Sequence, residues 1–130
     1  MKNLMFTFVI LFSSIAFGAA PKVSFVKPHD KDVVPQTFDV EFAVEGMTAV
    51  KAGEPTKPLT GHHHIIIDGT AVKKGDVVTK DETHKHFGDG SSKTTLTLKP
   101  GKHTLTLQFA DGSHKSYGEE MSATISIEVK

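Results

Sequence analysis

Gly61-His62-His63-His64-Ile65-Ile66-Ile67-Asp68-Gly69 runs three imidazoles directly into three β-branched side chains, with a glycine at each end. Side chains branched at Cβ pack well on a pleated surface, and a short unbroken apolar run reads as a strand buried on both faces. Side chains alternate along a strand, so His62 and His64 point to one face and His63 to the other. Two imidazoles at i, i+2 on one strand can grip a metal ion, because neutral imidazole is a common ligand for zinc and copper. His63 shares its face with Ile65 and Ile67 and reads as a packing residue.

The flanking sequence supplies more strands. Phe38, Val40, Phe42 and Val44 alternate with Asp39, Glu41 and Ala43, the pattern of a strand with one apolar face. Pro21 to Val26 reads as a first short strand, and Thr94, Leu96 and Leu98 mark another. His103, Leu105, Leu107 and Phe109 alternate with polar residues, as do Ala123, Ile125, Ile127 and Val129. Between Gly69 and Lys80 the pattern is turn-rich, with a short strand expected near Val77-Val78, and Asp81 to Gly90 is a separate stretch that ends in a turn. No stretch carries a helical period. The expected fold is all-β: an immunoglobulin-like antiparallel β-sandwich of about seven strands.

The N-terminus has a different character. A positive start at Lys2, an apolar run from Leu4 to Phe17 and small residues at Ala16, Gly18, Ala19 and Ala20 form the three-part pattern of a secretory signal peptide. The apolar run is short of the roughly 20 residues that span a membrane. Cleavage ahead of Ala19 is expected, leaving residues 19–130 as one β-sandwich domain in the periplasm or secreted, with no membrane span in the mature chain. The sequence holds no cysteine. That excludes disulfides, a thiol nucleophile and a thiolate metal site, so stability must come from the apolar core. Acidic and basic residues balance at 15 each, and every basic residue is lysine. A nucleic-acid partner wants a basic face, preferably with arginine, and none is expected.

Histidine is the distinctive residue, with eight in 130. If the strands connect in immunoglobulin order, the loops after the second, fourth and sixth strands gather at one end. His62 and His64 begin the third strand there. His84 and His86, again at i, i+2, precede the fourth-to-fifth loop, and His114 lies in the sixth-to-seventh loop. His62, His64, His84, His86 and His114 are therefore the candidate metal ligands. Met47 and Met121 fall near that end but read as core plugs. His29 and His103 fall at the other end, His29 in a solvated turn and His103 at the core edge. The motifs H-E-x-x-H, G-x-S-x-G, G-x-G-x-x-G and G-K-[ST] are absent, and no nucleophile–base pair stands out. No catalytic residue is assigned, and an enzyme is not expected.

Several stretches together resemble a known family. Pro21-Lys22-Val23-Ser24-Phe25, Val44-Glu45-Gly46-Met47, Gly61-His62-His63-His64-Ile65-Ile66-Ile67-Asp68, His86-Phe87-Gly88-Asp89-Gly90 and Pro100-Gly101-Lys102-His103-Thr104-Leu105 are similar to the signature of small exported bacterial domains grouped as domain of unknown function 4399. The resemblance implies an exported single β-domain without an established activity. The family pattern has a second histidine and prolines shortly after the position of His114. Here Lys115-Ser116-Tyr117-Gly118 follow, so a site that used that second histidine would be altered.

Two functions compete. One is a periplasmic binding domain that holds copper or zinc through the histidine cluster. The other is a structural or adhesive cell-envelope module with no metal, whose partner is an envelope protein and whose histidines serve packing and surface hydrogen bonds.

Overall fold

The computed structural model describes residues 19–53 and 57–130; the expected signal peptide, 1–18, lies outside the described residues. Nine strands follow in order: β1 Lys22–Lys27, β2 Val33–Val34, β3 Thr37–Glu45, β4 Thr48–Ala49, β5 Thr60–Ile67, β6 His84–His86, β7 Lys93–Thr97, β8 Gly101–Ala110 and β9 Ser122–Val129. A 3-10 turn, Glu119–Met121, precedes β9. The smaller sheet has the order β1-β3-β7 and the larger β2-β9-β8-β5-β4, with β6 also on β5. Seven of these strands answer the sequence pattern. The other two, β2 and β4, are two-residue additions that pair in parallel with β9 and β5.

The alternation in β3 has the expected consequence. Phe38, Val40 and Phe42 are buried and face Ile65, Ile67, Leu105, Leu107, Phe109, Ile127 and Val129 from the opposite sheet. Each fully buried side chain of this kind stabilises the fold by roughly 1.5–3 kcal/mol. A sandwich of this size can therefore stand without disulfides. Met121 is part of this core and Met47 packs against it, so both methionines are apolar filler.

β5 is an interior strand of the larger sheet, between β8 and the short β4 and β6, and every residue from Gly61 to Ile67 is buried. Its inner face carries His63, Ile65 and Ile67, paired across to Phe109, Leu107 and Leu105 of β8. Its outer face carries His62, His64 and Ile66, paired to Ala110, Gln108 and Thr106. Such a sheet would leave that outer face in water, but the segment after β5 folds back over it. Val72 N–H donates to Gln108 Oε1 at 2.9 Å, and Gln108 Nε2 donates to the Gly118 carbonyl at 3.0 Å. The Ser116 hydroxyl donates to the Val72 carbonyl at 2.7 Å. The expected strand near Val77-Val78 reduces to one bridge, Val77 to Lys115. Gln108 is thus a buried amide whose hydrogen bonds fasten two connections over the histidine face.

The fourth main strand, β6, is three residues long and joins the larger sheet against β5. This placement sets the geometry of the site.

Candidate metal centre

The site grows from two neighbouring strands and one turn. His62 and His64 stand on the outer face of β5. The β5–β6 register pairs His64 with His86 and Ile66 with His84. Paired residues share a face, so His86 lands beside His64, while His84 lies one pair further from the loops. His114 enters from the connection between β8 and β9. The nitrogen atoms that His62, His64, His86 and His114 can offer all lie within 4.8 Å of one another. His62 and His64 are fully buried; His86 and His114 are half-buried and close the cluster toward solvent.

Two backbone features make room for these rings. A Cβ on Gly88 would collide with His86 Cε1 and stand 2.8 Å from His86 Nε2, so any larger residue here would push the imidazole out of its place. His114 has φ 64°, a left-handed conformation that polar residues in turns adopt more readily than β-branched ones. The turn is tied on both sides: His114 N–H donates to the Asp111 carbonyl at 2.9 Å, and Val78 N–H donates to the His114 carbonyl at 2.8 Å.

The electrostatics follow from crowding four imidazoles out of water. Burial lowers His62 to about 4, and repulsion from His86 and His114 adds to it while Asp111 opposes. Burial lowers His64 to about 3, with the same repulsion from His62, His86 and His114; the Gln108 main chain opposes weakly without forming a hydrogen bond. His86 is lowered as well, first by burial and then by His114 and Lys80. At neutral pH these three rings are uncharged, the form that ligates.

Their hydrogen bonding is incomplete. His62 Nε2 and His114 Nδ1 share one hydrogen bond at 3.1 Å. His62 Nδ1, both nitrogens of His64 and His86 Nε2 are buried with no partner among the described residues. A buried polar atom left unpaired costs on the order of 1–3 kcal/mol. His63 Nδ1, on the core face, is unpartnered as well; what sets the other four apart is that they share one cluster. A tetrahedral ion with metal–nitrogen bonds near 2.0–2.1 Å needs its nitrogens roughly 3.3 Å apart. The four nitrogens, within 4.8 Å of one another, would have to draw closer to reach that spacing. Four imidazole nitrogens suit zinc or copper and offer little to calcium or magnesium, which take oxygen.

The remaining histidines are placed differently. His84 was an expected ligand, and the structure does not bring it into the group. Its ring turns to Asp81, with Nδ1 donating to Oδ1 at 2.8 Å, and that bond is the first cause of the lowered Asp81 pKa, about 2. His63 lies on the core face as expected, edge-on to Phe42 and Phe109 with centroids 4.8 and 4.9 Å away. His29 is exposed in a turn. His103 stands at the far end against Asp68 and the Lys99 carbonyl, each at 2.8 Å.

Lys115-Ser116-Tyr117-Gly118 builds the frame and leaves the cluster to other residues. Ser116 holds Val72, and the Tyr117 hydroxyl donates to the Thr60 carbonyl at 2.6 Å. Gly88 is the position beside the cluster to which sequence reading gave no role, although it lies in the signature stretch His86-Phe87-Gly88-Asp89-Gly90.

Among the described residues, no helix is long and apolar enough to cross a membrane. No curated protein and no solved structure matches the chain. Residues 40–130, which contain all four clustered histidines, match the family described as domain of unknown function (DUF4399), and the chain belongs to that family.

Proposed function

We propose that this is an exported metal-binding domain that holds one copper or zinc ion through His62, His64, His86 and His114. The observation that carries it is the convergence of four imidazoles with four unpartnered buried nitrogens. A metal taking one nitrogen from each ring would engage up to three of those four, where no protein group does. The competing envelope module, with histidines used for packing, predicts scattered imidazoles; His63, His84 and His103 fit that description and the four clustered rings do not. Export to the periplasm or beyond rests on the sequence pattern of residues 1–18.

The test is metal content. The protein is exported, purified without a histidine tag, and its copper and zinc are measured by mass spectrometry of the elements. One ion per chain is expected, or one after titration with zinc or copper followed by gel filtration. A protein that retains neither metal under both conditions refutes the proposal. Intact mass of the same material reads the leader: a chain beginning at Ala19 is expected, and a retained Met1 counts against export with cleavage.

A further inference from the structure

His62, His64 and His86 are fixed by strand register. His114 is not: it is carried on a turn, and something must hold that turn. Asp111 does so at three points. Its Oδ1 accepts from Ser113 N–H at 2.8 Å and from Lys115 N–H at 3.0 Å, the two residues that flank His114. Its carbonyl accepts the His114 N–H at 2.9 Å, and its own N–H donates to the Lys115 carbonyl at 2.9 Å. Asp111 directly follows Ala110, the cross-strand partner of His62. The end of β8 is thereby locked in register with the strand that bears two of the other imidazoles.

An aspartate whose carboxylate bonds the main chain two residues on is a standard turn device. Here the same oxygen reaches two N–H groups and encloses a residue in the left-handed region, φ 64°. Without it, the turn must hold His114 in that uncommon conformation with fewer bonds. We infer that Asp111 is the positioning residue for the fourth ligand, acting through the turn geometry of its Oδ1 atom and setting the site's affinity by fixing His114. The inference rests on the metal proposal above. Its rival is a role for the carboxylate's charge, since Asp111 is the nearby anion that opposes the shift at His62.

Geometry and charge separate cleanly in two variants. Asp111→Asn keeps an oxygen acceptor at the same distance from the main chain and removes the charge. Asp111→Glu keeps the charge and moves the carboxylate one methylene out of the turn. Zinc and copper affinities are measured by competition with a chromophoric chelator for wild type, Asp111→Ala, Asp111→Asn, Asp111→Glu, His114→Ala and the double variant Asp111→Ala with His114→Ala. Residues that orient a ligand typically change affinity by about 10–100-fold. Asp111→Ala and Asp111→Glu are expected to lose that much, approaching His114→Ala. Asp111→Asn is expected to stay within a few-fold of wild type. The double variant should bind no more weakly than His114→Ala, because both changes remove the same contribution.

Wild-type affinity in Asp111→Ala overturns the inference. So does an Asp111→Asn as weak as Asp111→Ala, or an Asp111→Glu as tight as wild type, since either makes the charge decisive. If Asp111→Ala does not fold, the Asn and Glu variants still decide the matter. A wild-type protein that binds neither metal refutes the metal proposal itself, and the inference with it. Metal binding that is indifferent to Asp111 refutes this inference alone.

Discussion

The two ends of the sandwich treat the same side chain in opposite ways. At one end, His62, His64 and His86 are packed among other imidazoles, and burial with mutual repulsion keeps them neutral. At the other, the His103 ring places Nδ1 against Asp68 Oδ2 and Nε2 against the Lys99 carbonyl. Both partners are acceptors, so both contacts are made only when the ring carries two protons. The hydrogen bond to Asp68 is the main reason its pKa is raised, with the Lys99 carbonyl adding to it and burial opposing. Asp68 also accepts the Thr104 N–H at 3.0 Å, so its carboxylate is fixed before the histidine arrives. One environment prepares imidazole for a cation; the other makes imidazole the cation.

The largest expected consequence is acid sensitivity of the metal-free protein. His62, His63 and His64 titrate in the fold near 4, 4 and 3, against 6.5 for an unperturbed side chain. Below pH 6.5 the unfolded chain binds protons that the native chain refuses. Each of the three contributes stability that is present above pH 6.5 and is lost as pH falls toward its folded value. The slope approaches roughly 1–1.5 kcal/mol per pH unit for each histidine. Urea unfolding between pH 7 and pH 4 should show a steep fall in midpoint. A flat profile would mean that the imidazoles are hydrated and the cluster is not packed as described. By the same logic, protons compete for His62 and His64 only well below pH 6, where unperturbed histidine would already be lost as a ligand.

Metal binding comes next in size. An ion at 100 times its Kd stabilises the state that binds it by about 2.7 kcal/mol, which moves Tm on the order of 10 °C for a domain of this length. Copper or zinc should produce that shift in wild type at neutral pH. The double variant His62→Ala, His64→Ala should lose it. The metal-free double variant should still fold, because Ile65 and Ile67 fill the core from the opposite face. A full metal-induced shift in the double variant would place the ion elsewhere.

How much of this was legible in the residues depends on element length. Phe38 to Val44 and Leu105 to Phe109 announce themselves because alternation persists long enough to be counted. The same rule placed His63 in the core and His62 with His64 on the other face. His114 was also legible, once the sixth-to-seventh loop was put at the entrance end. The failures are short. β2 and β4 are two residues each and carry no period. In β6, the i, i+2 spacing assigns His84 and His86 to one face but says nothing about register, and register alone decides which reaches the cluster. The close approach of the His86 ring to Gly88 is a contact between near neighbours that no periodic pattern encodes.

A smaller effect sharpens the contrast between the ends. A raised pKa at His103 contributes stability that is present below pH 6.5 and is lost as pH rises through the folded value. The sign is opposite to that of the cluster. His103→Gln should therefore cost stability at pH 6 and much less at pH 9, with metal affinity unchanged at either pH. The pair is partly exposed, so a change of about 1 kcal/mol or less is expected. An equal loss at both values would mean that the ring acts by packing and not by charge.

The smallest effect expected is at His84, and it discriminates most sharply between spacing and register. His84 and His86 differ by two positions in one short strand and share a face, yet their rings meet different partners. The Asp81 Oδ1 atom accepts from His84 Nδ1 at 2.8 Å, and also from the main-chain N–H groups of Thr83 and His84 at 2.9 Å. That turn satisfies its own donors even when the ring is removed, and the ring is partly solvated. His84→Ala should change stability by less than about 1 kcal/mol and leave metal stoichiometry and affinity as in wild type. His86→Ala, measured beside it, should weaken binding by at least tenfold, because an ion loses one of four nitrogens. If the two variants weaken binding alike, the pairing of His64 with His86 is displaced by two residues and the register of β6 must be redrawn. If neither does, the ion is held by β5 and the His114 turn alone, and β6 is an edge strand with no ligand on it.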